Sequence, residues 1–241
     1  MASTALPVYA SPVVFSEDFS TTILPTNTQA HLGGNISLAT FGEISVAANA
    51  SIVNETLELS STSGFRGIGI AFDADQLVAG TSYTLSVDII DFELSSRFGS
   101  NFADSLDINV FTGNDFLADN NNSDRLFLNA QSGELQNRNG SATATEVVSE
   151  SVISFQDSPN TGSIELNFDY DGSDSLAIFL GAVSDGFPHP TVTIDNITLS
   201  ESEPGSGGSS SDIEVGTVPE PSSVLLLSLS SLALLRRKRN D

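Results

Sequence analysis

Apolar residues recur at every second position over most of this chain. Between Thr81 and Phe92, Tyr83, Leu85, Val87 and Ile89 share one face, and Thr84, Ser86 and Asp88 share the other. Leu106, Ile108 and Val110 alternate with Asp107 and Asn109, and Ile164, Leu166, Phe168 and Tyr170 alternate with Glu165, Asn167 and Asp169. Successive side chains of a strand point to opposite faces, so this alternation predicts half-buried strands. From Leu176 to Leu180 both parities are apolar, which predicts a central strand covered on both sides. Shorter runs predict strands at Thr56 to Ser60, Gly67 to Phe72, Asp124 to Asn129 and Glu146 to Phe155. Turn residues separate them, at Ala79-Gly80, Thr112 to Asp115, Ser132-Gly133, Asn139-Gly140, Asn160 to Gly162 and Asp171-Gly172. Many short strands at even spacing predict an all-β antiparallel sandwich or barrel. Asp169 to Ser173, between two alternating runs, reads as a hairpin turn.

The final run, Thr191 to Ser200, changes parity. Val192 and Ile194 share one face, but after Asp195-Asn196 the apolar positions are Ile197 and Leu199. A one-residue slip would carry these side chains out of the core, so a β-bulge is expected at Asp195-Asn196.

Charge narrows the function classes. The formal net charge is -23, from 31 acidic and 8 basic side chains, and four of the basic ones are Arg236, Arg237, Lys238 and Arg239 at the C-terminus. The body therefore lacks the clustered cations that displace phosphate counterions, which argues against nucleic acid as a partner. There is no cysteine, hence no disulfide, thiol nucleophile or cysteine metal site, and no tryptophan.

The C-terminal region has a different character. Glu201 to Thr217 is rich in Gly, Ser and acidic residues and reads as a flexible linker. Val218, Pro219, Glu220 and Pro221 follow. Then comes an apolar run carrying Val224, Leu225, Leu226, Leu227, Leu229, Leu232, Leu234 and Leu235, and then the basic stop Arg236, Arg237, Lys238 and Arg239. A core helix would show an apolar stripe on one face, whereas this run is apolar all round apart from serines. A basic cluster stays on the cytoplasmic side, so a short transmembrane helix that places the body on the other side is expected. Val224 to Leu235, if helical, reaches only about 18 Å, against the ~20 residues a permanent span needs.

A Pro-Glu-Pro motif, a short Leu-rich segment and a terminal Arg/Lys cluster, in that order, resemble the PEP-CTERM sorting tail of exported bacterial proteins. That resemblance covers Val218 to Arg239. It implies recognition and processing near Pro219 to Pro221 by an exosortase-type membrane protease at the bacterial inner membrane. It also implies anchoring through the C-terminus before processing, and release to the cell surface or extracellular matrix afterwards. Members of that family carry an N-terminal secretion signal. Met1 to Val14 shows no cationic n-region and no apolar h-region, yet Val8-Tyr9-Ala10 sets small residues where a signal peptidase cuts. The expectation is that residues 1–12 are a signal remnant or a disordered N-terminus, with the true start upstream.

Three segments of the body resemble the jelly-roll sandwich of galactose-binding-like and carbohydrate-binding modules: Phe15 to Phe19, Leu77 to Val87 and Val192 to Ile197. The expected organisation is a jelly roll over 13–200, a linker over 201–217 and a sorting tail over 218–241. The resemblance further implies a structural Ca²⁺ joining the first and last strands, with Glu17 or Asp18 and Asp195 as oxygen ligands. The plainer alternative is that Asp195 and Asn196 only satisfy backbone groups at the bulge.

Catalytic motifs are missing. Neither His31 nor His189 sits in a recognisable motif, and there is no nucleophile elbow, zinc-protease helix or phosphate loop. Asp119 to Asp124 spaces oxygens like the start of an EF-hand loop, but the turn Gly is absent and Ala130 stands where a bidentate Glu belongs. Sugar sites commonly stack aromatic rings. Here Tyr83, Tyr170, Phe72, Phe168 and Phe179 all fall on core faces, leaving Phe187 as a candidate loop aromatic. The sequence thus points to an exported, non-catalytic envelope or matrix protein that binds exopolysaccharide or another matrix glycan. A carbohydrate-active enzyme using paired carboxylates and a purely structural matrix protein are the alternatives.

Overall fold

A computed structural model describes residues 11–22, 36, 38, 40–46, 50–60, 64–93, 104–114, 116–117, 126–129, 135–137, 143–154, 161–184 and 191–202. Thirteen strands lie among them: β1 (Val13–Glu17), β2 (Ile44–Val46), β3 (Ala50–Val53), β4 (Thr56–Ser60), β5 (Gly64–Phe72), β6 (Thr81–Glu93), β7 (Asp104–Gly113), β8 (Leu126–Leu128), β9 (Leu135–Asn137), β10 (Ala144–Ser154), β11 (Gly162–Tyr170), β12 (Ser175–Ser184) and β13 (Thr191–Glu201).

The strand pairing is nested. β4 pairs with β13, β5 with β12, β6 with β11 and β7 with β10, all antiparallel. Such nesting results when one long hairpin is rolled up so that its successive pairs fall alternately into two sheets, which is the jelly roll. One sheet runs β11-β6-β13-β4-β3, with β1 also paired to β13, and the other runs β10-β7-β12-β5-β2. The expected all-β jelly-roll sandwich is therefore the observed fold. The expected hairpin at Asp171-Gly172 is not, because β11 and β12 lie in different sheets. The turn there is a crossover. Gly172 has φ +86°, and a Cβ on it would come within 2.2 Å of the Ala79 side chain.

Alternation along each strand builds the core between the sheets. Leu57, Leu59, Tyr83, Leu85, Val87, Ile194, Ile197 and Leu199 from the six-stranded sheet meet Ile68, Ile70, Leu106, Ile108, Ile178 and Leu180 from the other. The change of parity in β13 is a bulge. Ile194 faces Ile89 and Ile197 faces Val87, so Asp195 and Asn196 stand against Asp88 alone. Buried positions accordingly shift from 192 and 194 to 197 and 199. β6 carries a compensating irregularity, since Thr193 faces Asp91 while Ile194 faces Ile89, which leaves Ile90 as the extra, exposed residue.

A second apolar cluster covers the outer face of the five-stranded sheet. Ala177 and Phe179 of β12, Phe65 and Ala71 of β5 and Phe111 of β7 pack against Ile36, Leu38, Phe116, Leu126 and Leu128. Isolated bridges Ile36 to Leu128 and Leu38 to Leu117 hold this cover together. β12 is thus buried on both faces, as its sequence predicts. Glycines make the room: a Cβ on Gly69 would meet the Leu38 side chain at 2.6 Å, and one on Gly181 would meet the Phe65 ring at 2.3 Å.

Candidate functional site

The two sheets present different outer faces. The cover just described closes much of the five-stranded one. The six-stranded one is polar, because the off-core parity of its strands carries Ser, Thr, Asn, Asp and Glu, most of them half-buried to exposed. β6 and β11 set these side chains opposite one another in register. Ser82 donates to Asp169 at 2.5 Å and Thr84 donates to Asn167 at 2.6 Å. The Ser86 and Ser163 hydroxyls lie 3.1 Å apart. Thr84 is also 2.7 Å from the hydroxyl of Ser202, the last described residue. Toward β13, the Asn196 side-chain amide donates to Asp88 at 3.4 Å and to Asp195 at 3.0 Å. Glu58, Asp88, Asp91, Glu93, Glu165, Asp169 and Asp195 make this sheet acidic, and its strands contain no Lys, Arg or His. Such a face repels polyanions and offers hydroxyl, amide and carboxylate groups to a polar ligand.

Among the described residues, stacking surfaces are scarce. Tyr83 and Tyr170 are buried, as expected from their parity, and both hydroxyls are engaged. The Tyr83 hydroxyl accepts from the Val78 amide at 2.8 Å, and that of Tyr170 donates to the Asp174 carbonyl at 2.6 Å. Burial pushes both phenols above the ordinary tyrosine value. Among the described residues the exposed large apolar side chains are Val13, Val78 and Ile90, none of them aromatic. Phe187 lies outside the described residues.

The carboxylates matched to calcium lie near one end of β1. Glu17 of β1 stands opposite Ile197, two residues beyond Asp195 along β13. The Glu17 carboxylate accepts from the Phe19 amide at 2.8 Å and from the Thr22 hydroxyl. These bonds brace a turn in which Phe19, buried, adopts a left-handed φ of 58°. Asp18 points to solvent and accepts from the Ser20 amide at 3.0 Å and its hydroxyl at 2.8 Å, which hold its carboxyl below the usual value. Asp195 takes its hydrogen bond from Asn196. β1 and the bulge are thus brought alongside each other, while each carboxylate serves a local partner. Among the described residues no three Asp, Glu or His side chains converge as a cation cage would require.

His31, His189 and the Asp119 to Asp124 loop lie outside the described residues, as do Val218 to Pro221, the apolar run Val224 to Leu235 and Arg236 to Arg239. No helix among the described residues is long and apolar enough to cross a membrane. The cross-strand pairs of hydroxyls with the Asp169 carboxylate, the Asn167 amide and the Ser163 hydroxyl are not legible in the sequence. The alternation places them on one face, but only the β6–β11 register says which residues meet.

Solved structures with a similar course include the CBM22-1 xylan-binding domain from Paenibacillus barcinonensis, 16% identical, with 81% of this chain and 97% of that chain covered at a TM-score of 0.39. Another is the C-terminal family 22 carbohydrate binding module of Clostridium thermocellum, 12% identical, covering 80% of this chain and 97% of that one at 0.37. The jelly-roll assignment rests on the nested pairing and not on these likenesses. No curated protein matches the chain. Residues 217–239, downstream of this sandwich, match the PEP-CTERM protein-sorting motif.

Proposed function

We propose that this chain is an exported, non-catalytic protein of the bacterial envelope or extracellular matrix. Its tail is handled by an exosortase-type membrane protease, and its sandwich contacts exopolysaccharide or another matrix glycan. The observation that carries the reading is the match of residues 217–239 to the sorting motif, downstream of a folded sandwich whose last strand is β13. The polar six-stranded face supports the glycan contact. It is rich in hydroxyl, amide and carboxylate groups, and it is the sheet face that the second apolar cluster leaves free. Calcium is a further part of the proposal: it would tie β1 to β13 by drawing Glu17 or Asp18 and Asp195 away from the local hydrogen bonds that hold them in this structure.

Co-sedimentation of the full chain with the host's own polysaccharide, with calcium and with chelator, tests the contact. Retention is expected, and it is expected to weaken when Ser86→Lys and Asn167→Lys place long cations on the face. No retention on any matrix fraction would contradict the glycan contact. Release of reducing ends from that polysaccharide would instead support the carbohydrate-active alternative.

A further inference from the structure

The chain enters its tail from β13, and β13 is the most enclosed strand of its sheet. On one side β6 pairs with it from Thr191 to Glu201. On the other side β4 pairs with it from Thr191 to Ile194, and β1 takes over from Ile197 to Ser200. β1 and β4 thus lie end to end along the same edge and meet where the bulge interrupts the pairing. The exit itself is held: the Glu201 amide donates to the Pro12 carbonyl at 2.9 Å and the Ser202 amide to the Ser82 carbonyl at 2.8 Å. Val192, Ile194, Ile197 and Leu199 are fully buried.

We propose that β13 takes up mechanical force, with tension entering through the tail resisted in shear by β6 on one side and by β1 and β4 on the other. Ladder hydrogen bonds lie perpendicular to the strands, so force along β13 loads many of them together, whereas force across the sheet opens them one after another. The inference rests on the reading that the tail anchors the chain at the membrane before it is processed, since only a tethered body is pulled from that end.

Single-molecule force spectroscopy separates the two loading directions. The chain has no cysteine, so one introduced thiol gives a unique handle to pull against the C-terminus. Glu93→Cys, exposed at the far end of β6, loads β6 against β13 along their length, and Asp91→Cys is a second handle near that end. Ala79→Cys, exposed just before the near end of β6, unzips the same two strands. The rupture force from the far-end handles is expected to exceed that from Ala79 by about twofold or more, because forced unfolding follows the barrier of the loaded path. Equal forces, or a lower force from the far end, would overturn the proposal. Because the measurement uses isolated protein, its failure leaves the sorting reading untouched, and the reverse also holds.

Discussion

Asn196 lies against Asp88, its side-chain amide 3.4 Å from the carboxylate, at the point where β13 places two residues against one on β6. This pair marks the bulge that keeps the last strand in the core. Val192 and Ile194 before it, and Ile197 and Leu199 after it, all face inward only because one extra residue is accommodated there.

Deleting Asn196 is therefore expected to turn Ile197 and Leu199 outward or force the strand to re-register. Fully burying such a side chain is worth ~1.5–3 kcal/mol, so the deletion should cost about 3–6 kcal/mol. Asn196→Ala keeps the residue count and should cost about 1 kcal/mol through its lost hydrogen bonds. Urea unfolding monitored by circular dichroism distinguishes the two. Similar small losses would show that the bulge does not set the register.

Gly181 and Phe65 form a matched pair on the covered sheet face, since a Cβ on Gly181 would reach 2.3 Å from the ring. Gly181→Ala should destabilise by about 1–3 kcal/mol through overpacking. In the Phe65→Ala background the added methyl meets no ring, so its extra cost should shrink. A double-mutant cycle on denaturant midpoints reads this coupling.

The buried tyrosines give a sign for alkaline pH. The unfolded phenols lose their protons near the ordinary value of 10.0, while the folded ones, raised by burial, keep theirs. Stability contributed by Tyr83 and Tyr170 is thus fully present below pH 10.0 and lost as pH rises through the folded values. In the Tyr83→Phe/Tyr170→Phe variant the alkaline decline should be shallower. Its stability at neutral pH should fall by about 1–3 kcal/mol, because the Val78 amide and Asp174 carbonyl lose their partners. Chemical denaturation across pH checks both effects.

Asp171 is held below its ordinary value of 3.8 by the Ser173 amide and hydroxyl, at 2.9 and 2.8 Å. The stabilising contribution is present above pH 3.8 and fades as pH falls through the folded value. Ser173→Ala should move the Asp171 titration up toward 3.8 in a carboxyl-resolved NMR experiment. No movement would mean that the amide alone holds the turn.

Much of the fold was legible because parity survives without context. Thr56 to Ser60 is β4, the run from Thr81 is β6, and the doubly apolar Leu176 to Leu180 lies inside the central β12. Other features depend on distant partners. Ile89-Ile90 hides the β6 irregularity because both residues are apolar, and only the register shows which one faces out. The second cluster joins Ile36 and Leu38 to Phe179 across more than half the chain, and no local pattern announces that contact. The Asp171-Gly172 signal does mark a turn, but not the expected hairpin, since local chemistry does not say which sheet the next strand joins. The polar face was visible as alternating residues, but the pairs Ser82–Asp169 and Thr84–Asn167 required the β6–β11 alignment.

The central claim is that the tail sorts a separately folded sandwich to the envelope. Its most direct test is fractionation and intact-mass analysis of the full chain in a bacterium that encodes an exosortase, beside the Pro219→Ala/Glu220→Ala/Pro221→Ala variant. The parent chain is expected in the envelope or matrix fraction, shortened by cleavage near Pro219 to Pro221, while the variant keeps its full C-terminus and stays with the membrane. Identical masses and identical fractions for the two would contradict the account.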